Sequence, residues 1–160
     1  MNNISVGLGE IGISQNPDDV IVAYGLGSCL GIAMYDPVIH LGALLHAVLP
    51  ENTNGADSNP AKYVDTGIVA LIEQLKSKGA IQNRMITRVI GGANMLIAPG
   101  LSHTFDIGNR NVAKAHTVFS ELKIKVAVEE TGGNIGRTVR LYVVDGRMTV
   151  RTMGGKERDL

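Results

Sequence analysis

The sequence holds one cysteine, no tryptophan, aromatic residues at only 4% and no net charge. Each shortage removes a class of protein. A lone cysteine cannot close an internal disulfide, so Cys29 is either a small core residue or a thiol kept for its reactivity. Scarce aromatic rings leave little to stack on bases or sugars. Lys plus Arg balances Asp plus Glu at 15 each and no stretch is a basic run, so nucleic acid is not an expected partner. No apolar segment approaches the roughly 18 residues that span a bilayer, and the N-terminus lacks a basic-then-apolar leader. Membrane insertion is therefore not expected, and a cytoplasmic location is.

What is present suits one compact unit. A chain of 160 residues that is 44% hydrophobic has material for a core of its own, and residues 1–160 are expected to form a single domain. Two segments have helical period. Ser58, Asn59 and Pro60 open the first, which places Val64, Ile68, Leu71, Ile72 and Leu75 on one face and stops at Gly79. The second follows Gly108 and Asn109 and carries Val112, Ala115, His116, Phe119 and Leu122 at helical spacing. Short β-branched runs between turn residues read as strands over 4–8, 20–24, 30–35, 41–49, 85–90, 124–129, 138–144 and 147–153. Asp145-Gly146 predicts a two-residue hairpin between the last two. Strands outnumber helices, so the fold class is α+β with mostly antiparallel sheets and two main helices.

Cys29 ends the turn GLGSC, residues 25–29, between two predicted strands. Gly25, Gly27 and Ser28 allow a sharp bend that leaves amide N–H groups free to hold an oxyanion. Asp36-Pro37 opens the next connection, and a four-residue hairpin loop over 36–39 pairs Tyr35 with His40 and sets Cys29 opposite His46. Cross-strand partners have Cβ atoms roughly 5 Å apart, close enough for thiol and imidazole to meet. An imidazolium lowers the pKa of a neighbouring thiol, and such a pair attacks carbonyl carbon. Either residue alone reads as ordinary core. Their joint placement is what points to catalysis.

The stretches VIVAYGLGSCLGIAMYDP at 20–37 and GALLHAVLP at 42–50 resemble the CheD family, the chemoreceptor glutamine deamidases of bacterial chemotaxis. KYVDTGIVALIEQL at 62–75, GGANM at 91–95, IGNRNV at 107–112 and TGGNIGR at 131–137 extend the resemblance through nearly the whole chain. It implies a layered α/β/β/α sandwich, with Cys29 and His46 at the catalytic positions. It also implies deamidation of glutamine to glutamate on chemoreceptor cytoplasmic helices, with receptor methylesterase activity in some members, and the CheC phosphatase as a further partner. The family often has threonine six residues before the cysteine to orient the histidine. Here that position is Ala23, so orientation falls to a backbone carbonyl, water or another side chain.

The resemblance also makes Asn94, Asn109, Asn134 and Arg137 candidates to line a substrate groove, although their types alone read as turn formers, a helix cap and a solvated cation. GLGSCLG is a poor dinucleotide fingerprint, because Asp36-Pro37 stops the following run too early for a helix. His40, His46, His103 and His116 share no ligand spacing, so neither metal nor cofactor is expected. A second reading keeps the fold without the chemistry: an adaptor that docks to receptor or CheC, with Ala23 as a trace of lost catalysis.

Overall fold

The computed structural model describes residues 1–53, 58–95 and 106–160, among which ten strands form two five-stranded sheets. The first sheet holds β1 (Asn2–Ser5), β3 (Asp19–Leu26), β8 (Arg137–Tyr142), β9 (Met148–Thr152) and β10 (Arg158–Asp159), in the order β1-β3-β8-β9-β10. The second holds β2 (Ile11–Ser14), β4 (Leu30–Asp36), β5 (Leu41–Ala47), β6 (Ile86–Gly91) and β7 (Val128–Thr131), in the order β2-β5-β4-β6-β7. Among these pairings β1 with β3 and β6 with β7 are parallel, and the rest are antiparallel.

Two apolar cores follow from the strand period. Leu30, Ile32 and Met34 of β4 and Leu41, Ala43 and Leu45 of β5 face the helices α1 (Val64–Ser77) and α2 (Ile107–Glu121). Ala33 and Leu44 face the other way and meet Ile21, Val139 and Leu141 of the first sheet. The α+β sandwich of two mostly antiparallel sheets is as the sequence predicts. The layering differs, because both helices pack on the second sheet. The order among the described residues is helices, sheet, sheet, and the outer face of the first sheet carries no helix, where an α/β/β/α arrangement would place one.

Helix α1 buries the five apolar residues its period selects. Its start is later than expected: Asn59 caps a single 3-10 turn, Pro60–Lys62, accepting the Ala61 N–H at 3.2 Å, and the helix begins at Val64. In α2 the buried face includes Asn111 and Val118, whereas His116 points outward to Glu129. Strand β2 escapes the sequence reading because its four residues, IGIS, are too short to show a period. Residues 124–127 are not strand, since Lys123, at φ +57, closes α2 and delays β7 to Val128. The turn after β8 spans 143–146 rather than two residues. Gly146 alone there has positive φ, and a Cβ on it would lie 2.4 Å from the Tyr35 ring.

The β4–β5 register is displaced by two residues from the prediction: Asp36 pairs with Leu41 and Gly31 with His46. The cause is Asp36, which belongs to the strand and not to the loop. Its fully buried carboxylate accepts from Arg84 Nε at 2.8 Å, from the Ile81 N–H at 3.0 Å and from the Val38 N–H at 3.0 Å. Pro37 to His40 then make the turn, with His40 at φ +53. Burial pushes the Asp36 carboxyl up, but these donors and the Arg84 charge outweigh it, and the net shift is downward.

Asp36→Ala should therefore cost about 3 kcal/mol, read from the urea midpoint. The folded carboxyl titrates below its unfolded value of about 3.9, so the contribution is complete above about pH 4 and is lost as pH falls through the folded pKa. The gap between parent and variant should be flat from neutral pH to about pH 5 and shrink in stronger acid. A gap that persists unchanged in strong acid would assign the loss to packing instead.

Candidate functional site

The chain changes sheet at one end of the sandwich, and Cys29 and His46 lie there. Residues 27–29 carry it from β3 to β4, and β5 brings His46 to the same end. Because the displacement is by two residues, parity is kept. Cys29 and Gly31 share a face, so His46 stands diagonal to Cys29 instead of opposite it. Diagonal Cβ atoms are somewhat less than about 7–8 Å apart, within reach of an imidazole and a thiol. Among the described residues no hydrogen bond joins the two in the free protein.

His46 is 4% exposed and held on three sides. Its backbone N–H donates to Glu10 O at 3.0 Å and its carbonyl accepts from Gly9 N–H at 2.9 Å. Its ring Nδ1 lies 3.0 Å from the Val6 carbonyl. A carbonyl only accepts, so Nδ1 carries the proton and, in the neutral ring, Nε2 is left as the base. Val6 is itself fixed by donating to Val22 O at 2.8 Å. The orienting group is thus the backbone carbonyl of Val6, not of Ala23. The Ala23 side chain is fully buried in the core between the sheets, and its backbone pairs with Val139.

Cys29 is half-buried. Burial pushes its thiol above the ordinary value near 9, and its own backbone N–H pulls it partway back. The shift is upward, opposite to the lowering that a neighbouring imidazolium would give. The carbonyl of Cys29 accepts from Gly92 N–H and that of Gly27 from Ala93 N–H, both at 2.9 Å. Gly91 is obligatory here, since a Cβ on it would lie 2.3 Å from the Cys29 carbonyl oxygen. With those carbonyls turned inward, the N–H groups of Ser28 and Cys29 make no backbone hydrogen bond to another described residue, which suits an oxyanion.

Sequence reasoning missed Asn111. Fully buried on α2, its Nδ2 donates to Ser28 O at 2.9 Å and to Val48 O at 3.0 Å, tying the residue before Cys29 to the segment just past His46. A polar residue two places after Asn109 gives no sign of burial by type, although its helical phase with Ala115 was readable. The other candidates divide. Arg137 is 7% exposed and donates to Gly91 O, Gly132 O and Glu130, so it braces loops and is not the solvated cation its type suggests. Asn94 is half-buried, its N–H donating to Gly133 O at 2.8 Å. Asn109 and Asn134 are exposed. Gly25 sits at φ +60 on the outer side of the turn, with its N–H on Thr138 Oγ1 at 3.1 Å. His103 lies outside the described residues, and among those described no three His, Cys, Asp or Glu side chains gather as a metal set.

A family model described as CheD chemotactic sensory transduction matches residues 48–152. The matched part holds Gly91, Asn111 and Arg137 but neither Cys29 nor His46. Full-length relatives cover those as well. A probable chemoreceptor glutamine deamidase CheD of Symbiobacterium thermophilum is 42% identical over 158 residues, which is 98% of this chain and 96% of the relative. The chemoreceptor glutamine deamidase CheD of Thermotoga maritima is 39% identical over 153 residues, 96% of this chain and 94% of the relative.

Two outcomes are expected of the site. Iodoacetamide reacts with thiolate, so Cys29 should alkylate more slowly than a free thiol at neutral pH, with an inflection above about pH 9; an inflection below neutrality would reveal a resting ion pair with His46. Asn111→Leu strands two carbonyls and should cost about 2–4 kcal/mol in urea unfolding. A parental midpoint would mean that other donors satisfy Ser28 and Val48.

Proposed function

The chain belongs to the CheD family, and from that premise we propose that it is a chemoreceptor glutamine deamidase, with Cys29 as nucleophile and His46 as general base. The observation that carries the reading is the Val6 carbonyl on Nδ1 of His46, which leaves Nε2 as the proton acceptor diagonal to Cys29. Ala23 is then no obstacle, because a backbone carbonyl does the work of the missing threonine.

The steps follow from these groups. His46 Nε2 takes the thiol proton as the sulfur attacks the side-chain amide carbon of a glutamine. The resulting oxyanion is met by the N–H groups of Cys29 and Ser28. Collapse breaks the C–N bond, His46 returns its proton to the departing ammonia, and a thioester remains. Water, deprotonated by His46, then attacks the thioester, leaving glutamate and the free thiol. A glutamyl methyl ester has the same acyl carbon with methanol as leaving group, so the same groups would serve a methylesterase activity. Receptor cytoplasmic helices as substrate, CheC as a second partner and a cytoplasmic location belong to this proposal. No helix among the described residues is long and apolar enough to cross a membrane.

Intact mass of a receptor cytoplasmic fragment after incubation tests the reading, because each deamidation adds about one dalton. Cys29→Ala should leave the mass unchanged, and His46→Ala should slow the change roughly 100-fold or more. Turnover by Cys29→Ala at the parental rate would sink the mechanism. No turnover by the parent, with receptor binding intact, would favour the adaptor.

A further inference from the structure

The uncovered outer face of the first sheet carries an open pocket of about 320 Å³. At the small end of ligand sites, it fits one or two side chains better than a nucleotide or free cofactor. Tyr24, Thr138, Arg140 and Arg151 contribute to its lining, and no carboxylate does. Alternation explains the chemistry: Val139, Leu141 and Val150 point into the core, so Thr138, Arg140 and Arg151 point out. The Arg140 guanidinium lies 5.7 Å from the centre of the Tyr24 ring. Among the described residues the acidic neighbour of Arg140 is Glu157, at 3.7 Å. That pair is long and partly solvated, and Glu157 also accepts from the Thr149 hydroxyl at 2.7 Å. Arg151 donates to Gly155 O at 3.1 Å and has no acidic partner among the described residues.

Position connects the pocket to the catalytic end. Gly25 and Gly136 also line it. Gly25 lies near the end of β3, just before the crossing that ends at Cys29, and Gly136 closes the loop whose Gly133 carbonyl holds the Asn94 N–H. Four residues span at most about 14 Å, so Gly25 is no farther than that from Cys29. Two turns of helix rise about 11 Å. A helix that presents a glutamine to Cys29 can therefore reach the Gly25 edge of the pocket with a residue one or two turns away.

We infer that this pocket is a subsite for an acidic side chain of the substrate, in which Arg140 and Arg151 receive a carboxylate beside the Tyr24 ring. Its occupant rests on the deamidase reading, while the pocket itself does not. A single carboxylate suits the site better than a polyanionic surface, because the chain as a whole has no surplus positive charge. Arginine forks suit carboxylates in particular.

Direct binding tests this apart from turnover. The probes are a labelled alanine-based helical peptide with one glutamine and a glutamate about two turns away, the same peptide with lysine in place of glutamate, and phosphatidylglycerol vesicles. Full-length protein carrying Cys29→Ala should bind the glutamate peptide roughly tenfold more tightly than the lysine peptide. The preference should weaken with salt and vanish in Arg140→Gln/Arg151→Gln at a parental urea midpoint. Equal binding of the two peptides, including none of either, overturns the subsite, as does a preference that survives the double substitution. Vesicle capture with the same arginine dependence would reassign the face to a membrane surface and overturn it too. If the glutamate preference holds but protein retaining Cys29 releases no ammonia from the peptide, the catalytic reading falls and the subsite stands.

Discussion

Backbone groups that leave a β-ladder must find other partners, and at one end of this sandwich three sheet-changing segments create that demand together. Residues 6–10 cross from β1 to β2, residues 27–29 from β3 to β4, and residues 132–136 from β7 to β8. The registers bring them to the same end, since Leu30 pairs with both Ala47 and Gly91, Gly91 with Thr131, and Leu26 with Arg137. Unpaired buried carbonyls are costly, so each crossing recruits a side chain. The Val6 carbonyl takes His46, the Ser28 carbonyl takes Asn111, and the Gly91 and Gly132 carbonyls take Arg137. The site is what satisfying these groups produces.

That origin accounts for the division of labour. His46 serves the fold through Nδ1, so one side chain ties the sheets together and leaves Nε2 for the proposed role as base. Asn111 and Arg137 bind backbone carbonyls and fix where the Cys29 turn lies. With its own carbonyl and that of Gly27 engaged by the turn after β6, the N–H groups of Ser28 and Cys29 are left without a backbone partner among the described residues. Donors fixed before substrate arrives are worth more than donors that must reorganise.

The parts legible in the sequence were those governed by periodicity. The apolar face of α1 and the strand character of β3, β4, β5 and β8 needed only residue type and spacing, and the Cys29–His46 parity survived because a two-residue displacement preserves the face. The displacement itself depended on Asp36, read as a turn former because Asp-Pro usually is one. Its partners, Arg84 and the Ile81 N–H, are more than forty residues away, so nothing local announces that it is buried in the strand. The same holds for Val6, whose role lies in a carbonyl that every residue possesses, and for Arg137, whose burial comes from loops supplied by other elements. The expected second helical layer, which the described residues do not form, has a different cause: the family resemblance supplied that expectation, and period alone could not say which sheet a helix covers.

On the proposed mechanism, burial of Cys29 and the tautomer of His46 together set when the thiol reacts. A preformed thiolate-imidazolium pair would be reactive toward any electrophile that reached it, whereas a thiol held protonated by desolvation waits for a base to be brought into contact. A substrate amide seated at the turn would supply what the free protein lacks. Its carbonyl accepts the Ser28 and Cys29 N–H groups, and its bulk excludes water from the gap between sulfur and Nε2. The cost of ionising the sulfur is then met in the step that forms the carbon–sulfur bond, when the proton moves to a ring already aligned by Val6. On this account the raised thiol is no mark of an inactive site; it restricts reaction to an occupant that fills the crossing end of the sandwich.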